Sequence, residues 1–251
     1  MIPVISVQNV QKTFIRNNDG ELDVLGDISF DVAQGEFVGV LGYSGCGKTT
    51  LLRIICGFEK PEEGFVLIDG VKHDKPDRNV LMLFQDLDQL FPWKTVLENI
   101  MFTLLATGFI KDKAGARSHA MKRIADVGLS GFENSYPHEL SGGMKQRAAI
   151  ARALSLQPRV LLMDEPFASL DSVTRRSVQE LTQRVCKKYG VTVVLVTHSV
   201  DEAISLADRI IVIKEKPGKI GRIFDNPYYK QKDSREYTKL SQEIMTLLEK
   251  E

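Results

Sequence analysis

Nothing in this chain constrains its fold more than the stretch Gly42-Tyr43-Ser44-Gly45-Cys46-Gly47-Lys48-Thr49-Thr50. It fits G-x-x-x-x-G-K-[ST], a pattern whose glycines let successive backbone N–H groups curl inward around phosphate oxygens. Before it, Phe37-Val38-Gly39-Val40-Leu41 reads as a short buried strand. After it, Leu51 to Cys56 has helical apolar spacing and meets Gly57, a stop signal. Strand, glycine loop and helix in that order aim the partial positive charge of a helix N-terminus at the phosphates. The sequence therefore predicts a nucleoside triphosphate site, with Lys48 reaching the β- and γ-phosphates and the Thr49 hydroxyl ligating magnesium.

A length of 251 residues suits one large α/β domain or a core with a subdomain. Hydrophobic residues at 43% supply a sizeable core, and 26% charged residues argue against disorder. Basic and acidic residues balance at 33 each, so no global field recruits nucleic acid, which is not expected as a partner. No apolar run approaches the roughly 20 residues that span a bilayer, and the first residues lack the features of a secretory signal. Cys46, Cys56 and Cys186 are widely spaced without a metal-ligand pattern, as reduced thiols of a cytoplasmic protein would be.

Ile5 to Val10 and Asp27 to Val32 alternate like strands, with Asn17-Asn18-Asp19-Gly20 as a turn between them. Val66-Leu67-Ile68 followed by Asp69-Gly70 is a further strand and turn, and the three point to an antiparallel sheet. Val80 to Phe84 is a buried strand ending at Gln85. The pattern then turns helical over Val96–Leu105, Ala114–Val127 and Met144–Leu156. Continuous apolar strands return at Val160–Met163, Val191–Val196 and Ile210–Ile213, as in a parallel sheet covered on both faces. Leu240, Ile244, Leu247 and Leu248 mark an amphipathic helix that either packs on the core or binds a partner.

A second constellation follows the Val160 strand. Asp164 and Glu165 stand at its end, where open parallel sheets put their chemistry. Asp164 suits a magnesium site, and Glu165 suits the polarising of an attacking water. Pro166 predicts an extended backbone at Glu165. His198, at the end of the next apolar strand, suits a hydrogen bond to the γ-phosphate that also holds Glu165 and the water. Leu140-Ser141-Gly142-Gly143-Met144 opens a helix with Ser141 as a plausible N-cap, and the glycines leave N–H groups accessible to an anion. Two such sites in one chain suggest that the second serves a nucleotide bound by another copy. Cys46, beside Lys48 at a helix N-terminus, is either an activated thiol or a side chain tolerated where only backbone matters.

With Gln85, Ser169-Leu170-Asp171 and His198 in this order, the chain resembles the ATPase subunits of ABC transporters, from about Ile5 to Ile213. The Leu-Ser-Gly-Gly segment is the most specific part of the likeness. Tyr136-Pro137-His138-Glu139 resembles the importer branch. Leu90-Phe91-Pro92-Trp93 and Thr95 to Asn99 look like the nitrate/sulfonate/taurine group. The resemblance implies an α/β fold: a P-loop NTPase (RecA-like) core, a flanking antiparallel β subdomain and an inserted α-helical subdomain. It divides a single ABC ATPase domain into core and β subdomain (1–85 and 158–216), helical signature subdomain (86–157) and C-terminal tail (217–251). That tail is too short for the β-rich regulatory domain of some importer ATPases.

The resemblance also implies a head-to-tail dimer, expected to be a homodimer, with ATP and Mg2+ between one subunit's phosphate loop and the other's Ser141, Gly142 and Gly143. Asp171 belongs to the loop linking the two sites. Gln85 contacts magnesium, together with Thr49 and Asp164, and senses a transmembrane permease. Phe14 either stacks on adenine or is a strand-end core residue. Phe91 and Trp93 either line a groove for the permease or pack within the subdomain. Lys48, Glu165 and His198 are the expected catalytic residues. The implied protein sits peripherally on the cytoplasmic face of the membrane and works with an extracytoplasmic solute-binding protein. An exporter subunit or a soluble ABC ATPase is the alternative. Met144 departs from the glutamine common in the signature, and activity is expected to survive it.

Overall fold

The computed structural model describes residues 3–16, 20–86, 89–228 and 234–249. In chain order the elements are β1 (Ile5–Arg16), β2 (Gly20–Val32), β3 (Phe37–Leu41), α1 (Lys48–Ile55), β4 (Glu63–Ile68), β5 (Val71–Lys72), β6 (Val80–Leu83), α2 (Val96–Ala106) and α3 (Lys113–Asp126). There follow α4 (Gly142–Ser155), β7 (Val160–Asp164), α5 (Ser172–Tyr189), β8 (Thr192–Thr197), α6 (Val200–Leu206), β9 (Arg209–Lys214), β10 (Lys219–Asp225) and α7 (Arg235–Glu249). Two compact units result, one of residues 1–77 and 192–251, the other of residues 78–191.

The first unit holds two layers of strand. β1 pairs antiparallel with β2 on one side and β4 on the other, and β5 extends β4. The turn expected at 17–20 lies outside the described residues except for Gly20, which opens β2. In the other layer β3 runs parallel between β8 and β9, and β10 adds an antiparallel edge to β9. β3 and β8 are buried along their whole length, which is why they read as unbroken apolar runs rather than alternating ones. Gly39 of β3 admits α6 closely, since a Cβ there would meet those of Ala207 and Ala203 at 3.2 and 3.3 Å. α7 buries Tyr237, Leu240 and Ile244, and the Tyr237 hydroxyl donates to Asp201 of α6. The amphipathic C-terminal helix thus packs on its own core.

The second unit contains the parallel pair β6–β7 and the helices α2 to α5. α2 starts with a full capping box, Thr95 Oγ accepting from Glu98 N at 3.2 Å and Glu98 Oε2 accepting from Thr95 N at 2.9 Å. α5 is the longest helix among the described residues and has clear stops: Asp171 caps its first turn, and Gly190, at φ +62°, ends it.

Candidate functional site

The phosphate loop grows out of the C-terminal end of β3. Gly42 must be glycine, because a Cβ would sit 2.6 Å from Cys46 Sγ and 2.7 Å from the Ile213 carbonyl. Gly47 caps α1 in the left-handed region at φ +93° and, as glycine, supplies no side-chain cap to its first turn. A helix start that lacks a cap of its own suits an external acceptor. Lys48 is 6% exposed, and its Nζ donates to the carbonyls of Gly42 (2.7 Å) and Tyr43 (2.9 Å). An ammonium carries three donors, so one is left for a phosphate oxygen. Tyr43, Ser44, Gly45 and Thr49 are exposed, Thr50 half-buried. The loop therefore meets the requirements of a phosphate cradle: a helix start without a side-chain cap, an inward cation, and positions where a Cβ has no room.

The two readings of Cys46 separate here. Cys46 is 3% exposed, and burial pushes its thiol up despite the opposing charge of Lys48. Helix N-terminus and lysine do not offset desolvation, so Cys46 is not an activated thiol. Cys56 and Cys186 are pushed up to about 12 by the same cause.

Phe14 lies on β1 opposite Leu22 of β2. Its ring is half-buried rather than part of the core, and Lys12 Nζ stands 4.8 Å from its centroid. His198 is exposed directly after β8, and α6 starts behind it with Ser199 as its N-cap.

In the second unit, Asp164 is the last residue of β7 and 7% exposed. Glu165 is half-buried, and its backbone is not extended as Pro166 led us to expect: φ is +45°. A non-glycine residue in that region carries strain of about 1–3 kcal/mol, held only by its surroundings. The surroundings include Arg175, passed over in the sequence. From α5 its guanidinium donates to the carbonyls of Phe167 (3.1 Å) and Leu170 (2.7 Å), pinning the loop that follows Glu165. An arginine four residues after the N-cap Asp171 was the available signal.

Asp171 itself accepts from Thr174 N at 3.0 Å, and that backbone bond holds its carboxyl below the usual carboxylate range. Ser141 caps α4, Oγ accepting from Met144 N at 3.3 Å. Gly143 is buried against α5, where a Cβ would lie 2.3 Å from Thr174 Cγ2. Gln85 is exposed after β6. The turn around it is clasped by Gln89, also missed: its Oε1 accepts from Phe84 N at 3.0 Å, and its Nε2 donates to the carbonyls of Phe84 and Asp86, both at 2.7 Å. Arg152 of α4 in turn donates to the Gln89 carbonyl at 2.6 Å. Phe91 packs tilted on Trp93 and edge-to-face on Phe102, with ring centroids 5.6 and 5.1 Å apart, and Trp93 is 69% exposed. A cavity of about 340 Å³ opens beside Phe91, bordered by Leu83, Gln89, Arg152 and Leu156.

Among the described residues no three His, Cys, Asp or Glu side chains group as a metal site. The expected magnesium donors, the Thr49 hydroxyl, the Gln85 amide and the single carboxylate of Asp164, are all oxygens, which is what magnesium takes. No helix of the described residues is long and apolar enough to cross a membrane.

A parallel strand, an uncapped glycine loop and a buried lysine at a helix start define a P-loop nucleotide-binding fold. The comparisons narrow that class. The sequence matches the ABC transporter family over residues 25–168. It is 42% identical over 248 residues to the aliphatic sulfonates import ATP-binding protein SsuB of Bacillus cereus, covering 98% of this chain and 96% of that one. It is 37% identical to the nitrate import ATP-binding protein NrtC of Synechococcus elongatus, covering 98% of this chain and 38% of that protein. Among solved structures, the dimeric post-hydrolysis state of the ATP-binding cassette MJ0796 with ADP and Pi gives a TM-score of 0.76 at 34% identity, covering 88% of this chain and 98% of that one. The cbiO1 protein of Clostridium perfringens, part of the ABC transporter complex cbiONQ, gives 0.81 at 26% identity, covering 98% of each. The chain belongs to the ABC transporter family; it is an ATP-binding cassette and an ATPase.

Proposed function

We propose that this cassette powers solute import through a separate transmembrane permease, as a peripheral subunit at the cytoplasmic face of the membrane. The sulfonate and nitrate import relatives support import over export, and small oxyanions, sulfonates and related solutes as the cargo class. A solute-binding protein would deliver that cargo on the far side.

In this reading two copies assemble head to tail, and each ATP lies between one copy's loop and the other's Ser141, Gly142 and Gly143. Lys48 and the α1 N-terminus hold the phosphates, Phe14 faces adenine, and Asp171 links the two sites. Thr49, Gln85 and Asp164 hold magnesium, which when bound neutralises phosphate charge. Glu165 accepts a proton from the attacking water, and His198 keeps the γ-phosphate and water aligned. The dimeric MJ0796 cassette supports the assembly.

The observation that carries the transport reading is the exposed aromatic pair Trp93 and Phe102, 69% and 44% exposed, both packed on Phe91 in the segment that follows β6 and Gln85. Exposed apolar groups of that size mark a docking surface. We expect the tagged protein to pull a multi-span permease from detergent-solubilised membranes, and Trp93→Ala to reduce the recovery. Wild-type protein that recovers only ribosomes, repair factors or an exporter would overturn import. Glu165→Gln should lower turnover by about 10²–10⁴-fold while retaining ATP and accumulating a dimer on gel filtration. Wild-type turnover would remove Glu165 from the mechanism.

A further inference from the structure

We propose that Lys216, on the turn between β9 and β10, is a second cation of the phosphate loop that strengthens nucleotide binding without touching the chemistry. The inference rests on the loop's being the nucleotide site.

The turn is tied to β2 by backbone hydrogen bonds and packs against the loop. Gly218 N donates to the Val24 carbonyl and Gly26 N donates to the Gly218 carbonyl, both at 2.9 Å. A Cβ on Gly218 would lie 2.2 Å from the Cys46 carbonyl, so the turn approaches the loop as only glycine allows. From the other side, a Cβ on Gly47 would strike Leu25 Cδ2 at 2.5 Å and the Val24 carbonyl at 2.9 Å. Loop, turn and β2 therefore interlock.

On this mount Lys216 Nζ stands 3.6 Å from the place a Cβ on Gly45 would take, and Cε stands 3.8 Å from it. Gly45 has φ +82° and presents bare backbone there. Among the described residues no carboxylate pairs with Lys216, whereas Lys219 on the same hairpin lies 4.0 Å from Glu215 and Lys12 pairs with Glu62 at 2.9 Å. Lys216 thus has no ion-pair partner within 4 Å among the described residues, beside a loop built for a polyanion, while Glu215, which borders the same cavity, faces Lys219. Its field reaches the loop, for it lowers the Cys46 thiol against the dominant effect of burial.

Lys48 and Lys216 act differently. Lys48 is buried and bonded to loop carbonyls. Lys216 is exposed at the rim of a cavity of about 580 Å³ that it shares with Tyr43, Ser44 and Leu248. Its influence passes partly through water, so it is modest and sensitive to salt.

The test is the affinity of the purified protein for ATP, measured by calorimetry at about 20 mM and about 300 mM salt. At the lower salt Lys216→Ala should weaken binding roughly three- to tenfold, Lys216→Glu more, and at the higher salt the difference should largely vanish. Lys216→Arg should restore affinity, Lys219→Ala should leave it unchanged, and turnover at saturating ATP should be unaltered in all four. Equal low-salt affinity of Lys216→Ala and wild type would overturn the proposal. So would a loss that arginine does not restore, which would mark a packing role. Lys48→Ala separates the two readings: if it leaves affinity intact, the loop assignment itself fails. If it abolishes binding while Lys216→Ala changes nothing, only the role of Lys216 fails.

Discussion

The two glycine-bearing helix starts of this chain, α1 and α4, solve the same problem in opposite ways. α1 begins at Gly47, in the left-handed region, with no side-chain cap of its own. α4 begins at Ser141, in extended backbone, and its own hydroxyl accepts from Met144 N. A glycine start without a side-chain cap forgoes only about a few tenths of a kcal/mol, so the loop can do without a cap of its own. A capped start is self-sufficient, yet the Ser141 hydroxyl hydrogen can still be given to an outside oxygen. Their surroundings differ too. Gly47 is hemmed in by the Val24 backbone and Leu25, Gly143 mainly by the Thr174 methyl group. The first start is tightly packed and leaves its cap position to backbone alone; the second carries its own cap and lends itself to a ligand held elsewhere.

The largest effect should come from Gly47→Ala. The added carbon meets atoms at 2.5 and 2.9 Å in a backbone conformation that alanine resists, so loop and turn must part. ATP affinity of the isolated protein should fall at least about 100-fold, in line with misplaced catalytic geometry elsewhere. Gly35→Ala is the control: φ is +72° but its surroundings are open, so it should cost about 1 kcal/mol of stability and no affinity. Unchanged ATP binding in Gly47→Ala would break the contrast at its stronger end.

How far the sequence reaches follows the same physics. The loop, β3, β8 and the α2–α4 helices were legible because burial on both faces, or on one stripe, leaves an unbroken or periodic apolar signal. α5 escaped, although Val178, Leu181 and Val185 are buried along one stripe, because Gln179 and Thr182 are buried among them and blur it. Its caps, Asp171 and Gly190, were readable; Asp171 was weighed only for a role between sites. β10 escaped as an edge strand whose residues are mostly exposed and so carry no alternation. The positive φ of Glu165 was beyond local reading, since Pro166 argues for extended backbone and only tertiary bonds such as those of Arg175 override it. Cys46 stayed open between two readings for a related reason: a sequence shows the neighbouring lysine but not the desolvation.

Gly143→Ala should come next in size and sharpen the contrast. Its Cβ would press on Thr174 Cγ2, displacing the α4 start from α5 by some tenths of an ångström. If this segment serves the partner's nucleotide, ATP affinity of the isolated subunit should stay at wild type while turnover falls about 10–100-fold. Adding Thr174→Ser removes the offending methyl group and keeps the hydroxyl, so the double variant should recover most of the turnover. Weakened ATP binding by the isolated Gly143→Ala subunit would merge the two sites and end the distinction.

The smallest effect is also the sharpest, because Ser141 does two separable things. As a cap it bonds to Met144 N, and Ser141→Ala should cost about 1 kcal/mol, or about 2–4 °C in melting temperature for a chain of this size. As a donor to a phosphate it should matter to turnover and not to the subunit's own ATP affinity. Aspartate caps a helix as well as serine does but brings a carboxylate where the partner's phosphates are proposed to lie. Ser141→Asp should therefore regain the melting temperature lost by Ser141→Ala without regaining turnover. If both properties return together, Ser141 is a helix cap and nothing more, and α4 has no claim on a second nucleotide through its side chain.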